Sequence, residues 1–190
     1  MFRDPYSEAK AAHAAAYLLK KAGGTLELLK LMKLMYLTER GFYARYGRPM
    51  IGDEPYADRH GPVLESVYRA AADANDAGPT WNALIMPRDG NDLDLKDADA
   101  PLKKLSHADR NLLDEVWAEH GHRSGSALRK WTHKHCGEYD ELSFTDWDPR
   151  RPIALSRLLS EVGFSPEEVE QITEQKMAHE RLDALLLRAA

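Results

Sequence analysis

Residues 28–49 read LLKLMKLMYLTERGFYARYGRP, and this segment decides the fold. Its apolar residues recur at helical spacing, but they spread from one stripe over most of the helix circumference. A helix that is apolar on most sides is usually surrounded by other elements, so the pattern predicts a central helix over residues 26–46. Thr25 is predicted to cap its start. Gly47 is predicted to end it, because glycine readily adopts the left-handed backbone of a helix C-terminus.

The segment after the Pro49 turn predicts a change of structure. Residues 51–59 have no helical period and contain Pro55, which favours extended chain or a short edge strand. Gly61 and Pro62 are then predicted to open a new helix, because proline has no N–H that would be left unpaired at the first helical position.

The remaining pattern predicts a mainly α protein (α+β minor), with about seven helices around the central one and a small β-hairpin or short antiparallel sheet. The hairpin is predicted from the apolar run 81–86, the turn-forming sequence 89–92 and the leucines at 93 and 95. A short helix is expected over 153–162. Serine N-caps are predicted for the first, fourth, fifth and last helices at Ser7, Ser106, Ser124 or Ser126, and Ser165.

Composition bounds the class of protein. The 190 residues carry a formal net charge of -5 with both signs interspersed, so nucleic-acid binding is not predicted. The single cysteine, Cys136, forms no intramolecular disulfide, and neither a secretion signal at Met1–Pro5 nor an apolar run of membrane-spanning length occurs. We therefore expect a cytoplasmic protein of one domain over 1–190, ending in a helical extension at about 150–190.

Two clusters invite a metal-site interpretation, and neither is predicted to bind one. Imidazole and thiolate groups occur close together at His120, His122, His133, His135 and Cys136. On one helix, however, residues two apart point roughly 200° apart, so His133 and His135 do not face one ion. The aspartates at 92, 94, 97 and 99 lack the glycine and glutamate of a calcium loop, and we interpret them as the solvent face of a strand. Cys136 is not predicted to act as a catalytic nucleophile.

Several short motifs occur in a fixed order. KLMKLMY spans Lys30–Tyr36, GRP spans Gly47–Pro49 and ADRHGPV spans Ala57–Val63. With Leu128, Trp131, Thr132 and His133 downstream, the chain resembles the Panacea domain, the SocA-like or phage-associated antitoxin family, over about residues 8–140. The family pattern usually continues to a Pro-Trp pair, whereas this chain has Glu138 and Tyr139. The matching structural positions are Lys33, Tyr36, Gly47, Pro49, His60, Gly61, Pro62, Val63, Thr132 and His133.

The resemblance implies a function that the residues alone do not. Members of the family are antitoxins encoded beside toxins, which they neutralise by direct protein contact, so the expected partner is a cognate protein toxin. No catalytic constellation and no cofactor fingerprint is recognised, so an enzyme is not predicted. If family-matching polar residues line one shared groove, the contact residues are Tyr36, Arg40, His60, Trp131 and His133.

Some alternatives stay open. His60 either locks the predicted Gly61–Pro62 turn or serves recognition beside an anion-friendly helix start, and Thr132 is expected to bond a carbonyl one turn earlier. The last helix has a thin apolar face and ends in leucines, which indicates either a plain surface helix or self-association into a homo-oligomer or partner binding. The alternative functions are a proteolytic adaptor that delivers a bound partner to a protease, and a nucleic-acid-binding regulator of its own operon.

Overall fold

The computed structural model describes residues 6–88, 90–139 and 150–189, and within these it contains eight helices and six short strands. The helices are α1 (Glu8–Lys21), α2 (Leu28–Tyr46), α3 (Glu65–Ala72), α4 (Pro79–Leu84), α5 (His107–His120), α6 (Gly125–His135), α7 (Leu155–Glu161) and α8 (Pro166–Ala189). The strands are β1 (Thr25–Glu27), β2 (Pro55–Asp58), β3 (Gly61–Leu64), β4 (Ile85–Arg88), β5 (Asp92–Leu95) and β6 (Arg150–Pro152). The prediction of a mainly α fold with a minor β part is confirmed.

Helix α2 lies at the centre, as predicted. Every residue from Leu31 to Glu39 is buried, and α1, α5, α6, α7 and β3 all contact this helix. Gly47 ends it in the left-handed conformation, with φ 63°. The prediction that Thr25 caps α2 is wrong: Thr25 lies in β1, where its hydroxyl donates to Asp94 at 2.6 Å because strand pairing brings the two side chains together.

The first sheet has the strand order β1-β5-β4 and confirms the predicted hairpin. Strands β4 and β5 are antiparallel, with Met86 opposite Asp94. Trp81, expected in the first strand, instead lies buried in α4, because Pro79 starts a helix and the Trp81 N–H donates to the Glu8 carboxylate at 2.7 Å. Asp89 of the predicted turn lies outside the described residues, as does Met1–Pro5.

The second sheet, β3-β2-β6, corrects two predictions. Strand β2 is central and not at an edge, because β6 pairs with its other side. Gly61 and Pro62 begin no helix; they form part of edge strand β3, and α3 starts at Glu65.

Hydrogen-bond alternation explains how a proline fits in β3. The Glu65 N–H donates to the Glu54 carbonyl, so the antiparallel alternation turns the nitrogen of Pro62 away from β2. Proline thus sacrifices no ladder hydrogen bond there. The start of α3 is held by the buried Asp53 carboxylate, which accepts from the N–H groups of Ser66 at 3.1 Å and Val67 at 2.9 Å.

The predicted serine caps are confirmed. Ser106 forms a capping box with Asp109, Ser165 forms one with Glu168, and the fifth predicted helix is capped by Ser124 and not by Ser126. Ser7 caps α1. The helix expected over 153–162 is shorter, because Ile153 still donates its N–H to Pro55 beside the sheet. Among the described residues, no helix combines the length and apolarity needed to cross a bilayer.

Candidate functional site

Helix α6 lies between α5 and strand β3 and places its polar side chains on two different sides. Leu128 and Thr132 form the face buried against the core. The Thr132 hydroxyl donates to the Arg129 carbonyl at 3.0 Å, which confirms the predicted bond to the preceding turn. Trp131 and His133 flank this face, one on each side.

His133 packs against the turn end of the β2–β3 hairpin. Gly61 has φ 95°, and a Cβ atom built there would lie 2.9 Å from both Cδ2 and Nε2 of the His133 ring. The position therefore needs glycine for its backbone angle and for the close approach of α6. This contact fixes the hairpin relative to α6.

Lys33 lies behind the same turn and is completely buried, with 0% exposure. Its Nζ donates to the Pro62 carbonyl at 2.8 Å. Burial lowers the pKa of Lys33 to about 7, against the opposing effect of the nearby Asp58 carboxylate. A family-matching lysine thus links the central helix to the proline of the edge strand.

Glu138 completes a buried polar network on the same face of α2. Its Oε1 accepts from the Tyr36 hydroxyl at 2.6 Å and from Arg40 Nε at 2.6 Å, while its Oε2 lies 3.3 Å from Arg40 Nη2. Burial, followed by the Glu138 charge, raises the pKa of Tyr36 well above its ordinary value. The family's usual Pro-Trp pair is replaced here by residues with their own partners: Glu138 in this network, and Tyr139, whose ring lies 4.5 Å from that of His133.

Cys136 lies beside this network and is an inert thiol. It is 1% exposed, and burial raises its pKa to about 12, so the thiolate is scarcely populated at neutral pH. Within the described part of the chain, no group of three or more His, Cys, Asp or Glu side chains is placed to hold a metal ion.

A second buried acid, Glu39, lies on α2 and is not indicated by its sequence context. The Glu39 carboxylate accepts from the N–H groups of Met50, Ile51 and Gly52, each at 3.0 Å to its nearer oxygen. Burial raises the pKa of Glu39 to about 7, although these N–H groups act in the opposite direction. In the sequence, Glu39 is marked only by being a glutamate inside an otherwise apolar helical run. No spacing in the sequence indicates that its partners are the N–H groups of residues 50–52.

Trp131 takes part in a separate aromatic stack on the α5 side of α6. Its ring lies 4.5 Å from His120 in an edge arrangement and 4.5 Å from His135 in a stacked one. The His135 Nδ1 lies 2.8 Å from the Trp131 carbonyl. Because residues two apart on a helix point roughly 200° apart, Trp131 and His133 face different neighbours.

The structure divides the five predicted contact residues. Tyr36 is 0% exposed and lies beneath the surface, whereas Arg40 and His133 are partly exposed. His60 is exposed in the hairpin turn, where its N–H donates to Asp58 at 2.9 Å. Trp131 faces α5 instead. The interpretation of His60 as preceding a helix start is wrong, because a strand follows it.

Comparison with known proteins adds one match. A family model described as Antitoxin SocA-like, Panacea domain, matches residues 31–138, which is more than half of the chain. The matched range begins in α2 and ends at Glu138, so it encloses the polar network. No curated protein and no solved structure matches the chain.

Proposed function

The chain belongs to the SocA-like antitoxin family of Panacea domains, and from this premise we propose that it neutralises a cognate protein toxin by direct contact. Family membership supports an antitoxin-like role, and the match over residues 31–138 is the observation that carries the proposal.

The hairpin–α6 surface, defined here by Arg40, His60 and His133, is the contact region that we propose. The rigidity of this surface supports the proposal. The buried Glu138 carboxylate fixes the Arg40 side chain, and the absence of a Cβ atom at Gly61 lets the hairpin pack closely against His133. A preformed surface loses little conformational entropy on binding, which favours stable complexes. Tyr36 then acts as an internal support of this surface and not as a contact.

We also propose one domain with a helical extension. Strand β6 pairs with β2, and Leu158, Leu159 and Val169 are buried in the common core. Limited proteolysis is expected to release only the end of α8. Early cleavage that gives two separately folded fragments, one from the segment before residue 140 and one from the segment after residue 149, would contradict this organisation.

Co-expression tests the function. The product of the reading frame adjacent to this gene is expected to arrest growth alone and to lose toxicity when this chain is present, and the two proteins are expected to co-purify. His60→Asp is expected to weaken the complex at least about tenfold in titration calorimetry. His107→Asp, at an exposed histidine of α5 distant in sequence from this surface, is the matched control.

Other outcomes would overturn the proposal. A partner whose half-life falls in the presence of this chain, while its activity is unaffected by binding, indicates a proteolytic adaptor. Binding of operator DNA with an affinity that falls steeply with salt, without any protein complex, indicates a regulator.

A further inference from the structure

The second half of α8 carries an apolar seam, Ala178, Leu182 and Leu185, that the described part of the chain leaves exposed. Every side chain described from Glu174 to Leu186 is exposed, and these include Leu182 at 54% and Leu185 at 62%. The stretch from 174 to 189 is about 24 Å long at 1.5 Å per residue. Large apolar side chains in such a cluster are characteristic of an interaction surface.

The seam faces away from the body of the protein. The first half of α8 docks through Val169, which is buried, and through Ile172, whose Cδ1 approaches Gly47. At about 100° per residue, the centre of Ala178, Leu182 and Leu185 lies roughly 145° around the helix from this docked face. Within residues 6–88, 90–139 and 150–189, the body therefore leaves the seam accessible to a second helix.

The spacing of the seam is that of a helix pair. Ala178, Leu182 and Leu185 follow one another at intervals of four and three residues, and Gln175 precedes them by three. This alternation keeps side chains on one line between two helices that wind around each other. No charged residue occupies the line, so it contains no group that would select a chemically different partner.

The sizes of the side chains at 175, 178, 182 and 185 are complementary to those of a second α8 helix that runs in the opposite direction. In an antiparallel pair with Ala178 opposite Leu182 of the second copy, Gln175 lies opposite Leu185. Each layer then combines Leu with a smaller or more flexible side chain, as close packing requires. In a parallel pair, alanine would meet alanine and leave a gap.

We propose that a second copy of this chain covers the seam, with the two α8 helices antiparallel and Ala178 of one copy opposite Leu182 of the other. The pair is isologous, so the same residues contribute from both sides. Arg181 flanks the seam near the twofold axis, where the two guanidinium groups approach each other. This repulsion limits the strength of the dimer.

Sedimentation velocity on the full chain without any partner tests the proposal independently of the toxin hypothesis. A concentration-dependent dimer is expected, with a dissociation constant raised at least about tenfold by Leu182→Glu or Leu185→Glu. Met177→Glu is the matched control: Met177 is also exposed, at 47%, but lies roughly 105° around the helix from the centre of the seam. Arg181→Ala is expected to tighten the dimer.

Cysteine cross-linking tests the direction of the helices. A mixture of the Ala178→Cys and Leu182→Cys variants is expected to form the disulfide-linked dimer several times faster than either variant alone, while native Cys136 stays buried. Faster cross-linking of each variant with itself would contradict the antiparallel arrangement. A monomer at several hundred micromolar, with circular dichroism showing an intact helix, would overturn the proposal, as would equal effects of Leu182→Glu and Met177→Glu.

Discussion

Two long helices of this protein have opposite environments. In α2, every side chain from Leu31 to Glu39 is buried, including a lysine and a glutamate, whereas in α8 every side chain described from Glu174 to Leu186 is exposed, including leucines. Hydropathy of single residues does not explain this difference. The apolar residues of α2 surround the helix and are met by elements on all sides, whereas Ala178, Leu182 and Leu185 of α8 are centred roughly 145° from its docked face.

The comparison also separates two kinds of polar residue. On α2, the polar groups at and next to the core have specific partners. Lys33 donates to a carbonyl, Tyr36 and Arg40 donate to one carboxylate, and Glu39 accepts from three N–H groups. These bonds connect the core to the hairpin and to the segment after α6.

Glu138→Ala removes the shared acceptor of the network. The Tyr36 hydroxyl and the Arg40 guanidinium lose their partner in a buried site, so the free energy of unfolding is expected to fall by roughly 3–5 kcal/mol in chemical denaturation. The control is Glu115→Ala, because Glu115 pairs with Arg45 at an exposed position and should change stability by less than about 1 kcal/mol. Equal effects of the two substitutions would refute a structural role for the network.

Gly61→Ala introduces a Cβ atom against His133 at a positive φ angle. The backbone strain and the contact at 2.9 Å are expected to destabilise the fold by roughly 2–4 kcal/mol. Gly90→Ala shares the positive φ, at 86°, but a Cβ there meets nothing within 4 Å. The excess cost of Gly61→Ala over Gly90→Ala in urea titrations therefore measures the hairpin–α6 contact, and no excess would show that the hairpin moves freely.

Lys33→Met is expected to change the pH dependence of stability. The unfolded chain holds its proton on Lys33 up to about the ordinary pKa of 10.5, whereas the folded chain loses it near pH 7, so wild-type stability rises with pH in between. Between pH 7.5 and 9 this group adds roughly 2 kcal/mol, at about 1.4 kcal/mol per pH unit, and the variant should lack that increment.

Glu39→Gln supplies the opposite case in the same measurement. The folded-state pKa of about 7 lies above the ordinary 4.5, so the contribution of Glu39 is present at low pH and is lost as pH rises through 7. The variant should flatten stability between pH 4.5 and 7 and leave the alkaline limb unchanged. Parallel profiles for both variants and the wild type would contradict the assigned burial.

Leu182→Ala should have the smallest effect. At a protein concentration where the chain is monomeric, an exposed leucine contributes little, and the free energy of unfolding should change by less than about 0.5 kcal/mol. Leu34→Ala on α2, at a side chain with 0% exposure, is expected to cost roughly 2–5 kcal/mol. A large effect of Leu182→Ala in the monomer would show that the body covers the seam.

Local signals in the sequence predicted much of this fold. The apolar run of α2 identified the central helix, Gly47 its end, and serine residues the starts of α1, α5, α6 and α8, because each signal acts within about one helical turn. Gly61–Pro62 failed as a helix start, since pairing with β2 satisfies the neighbouring backbone groups. Trp81 failed as a strand residue, since Glu8, far away in sequence, meets the first turn of α4.

The candidate site divides in the same way. The residue pattern indicates which side chains are available, from Lys33 and Tyr36 on the central helix to Thr132 and His133 on α6, and where the serine-capped helices begin. Long-range packing adds what these local signals leave open: Glu138 joins Tyr36 to Arg40, Trp131 meets α5 while His133 meets the hairpin, and Leu182 and Leu185 of α8 remain exposed. The physical reason is range: helix caps and periodicity depend on residues a few positions apart, whereas burial and charge pairing depend on segments about 100 residues away, whose approach only the packed chain defines.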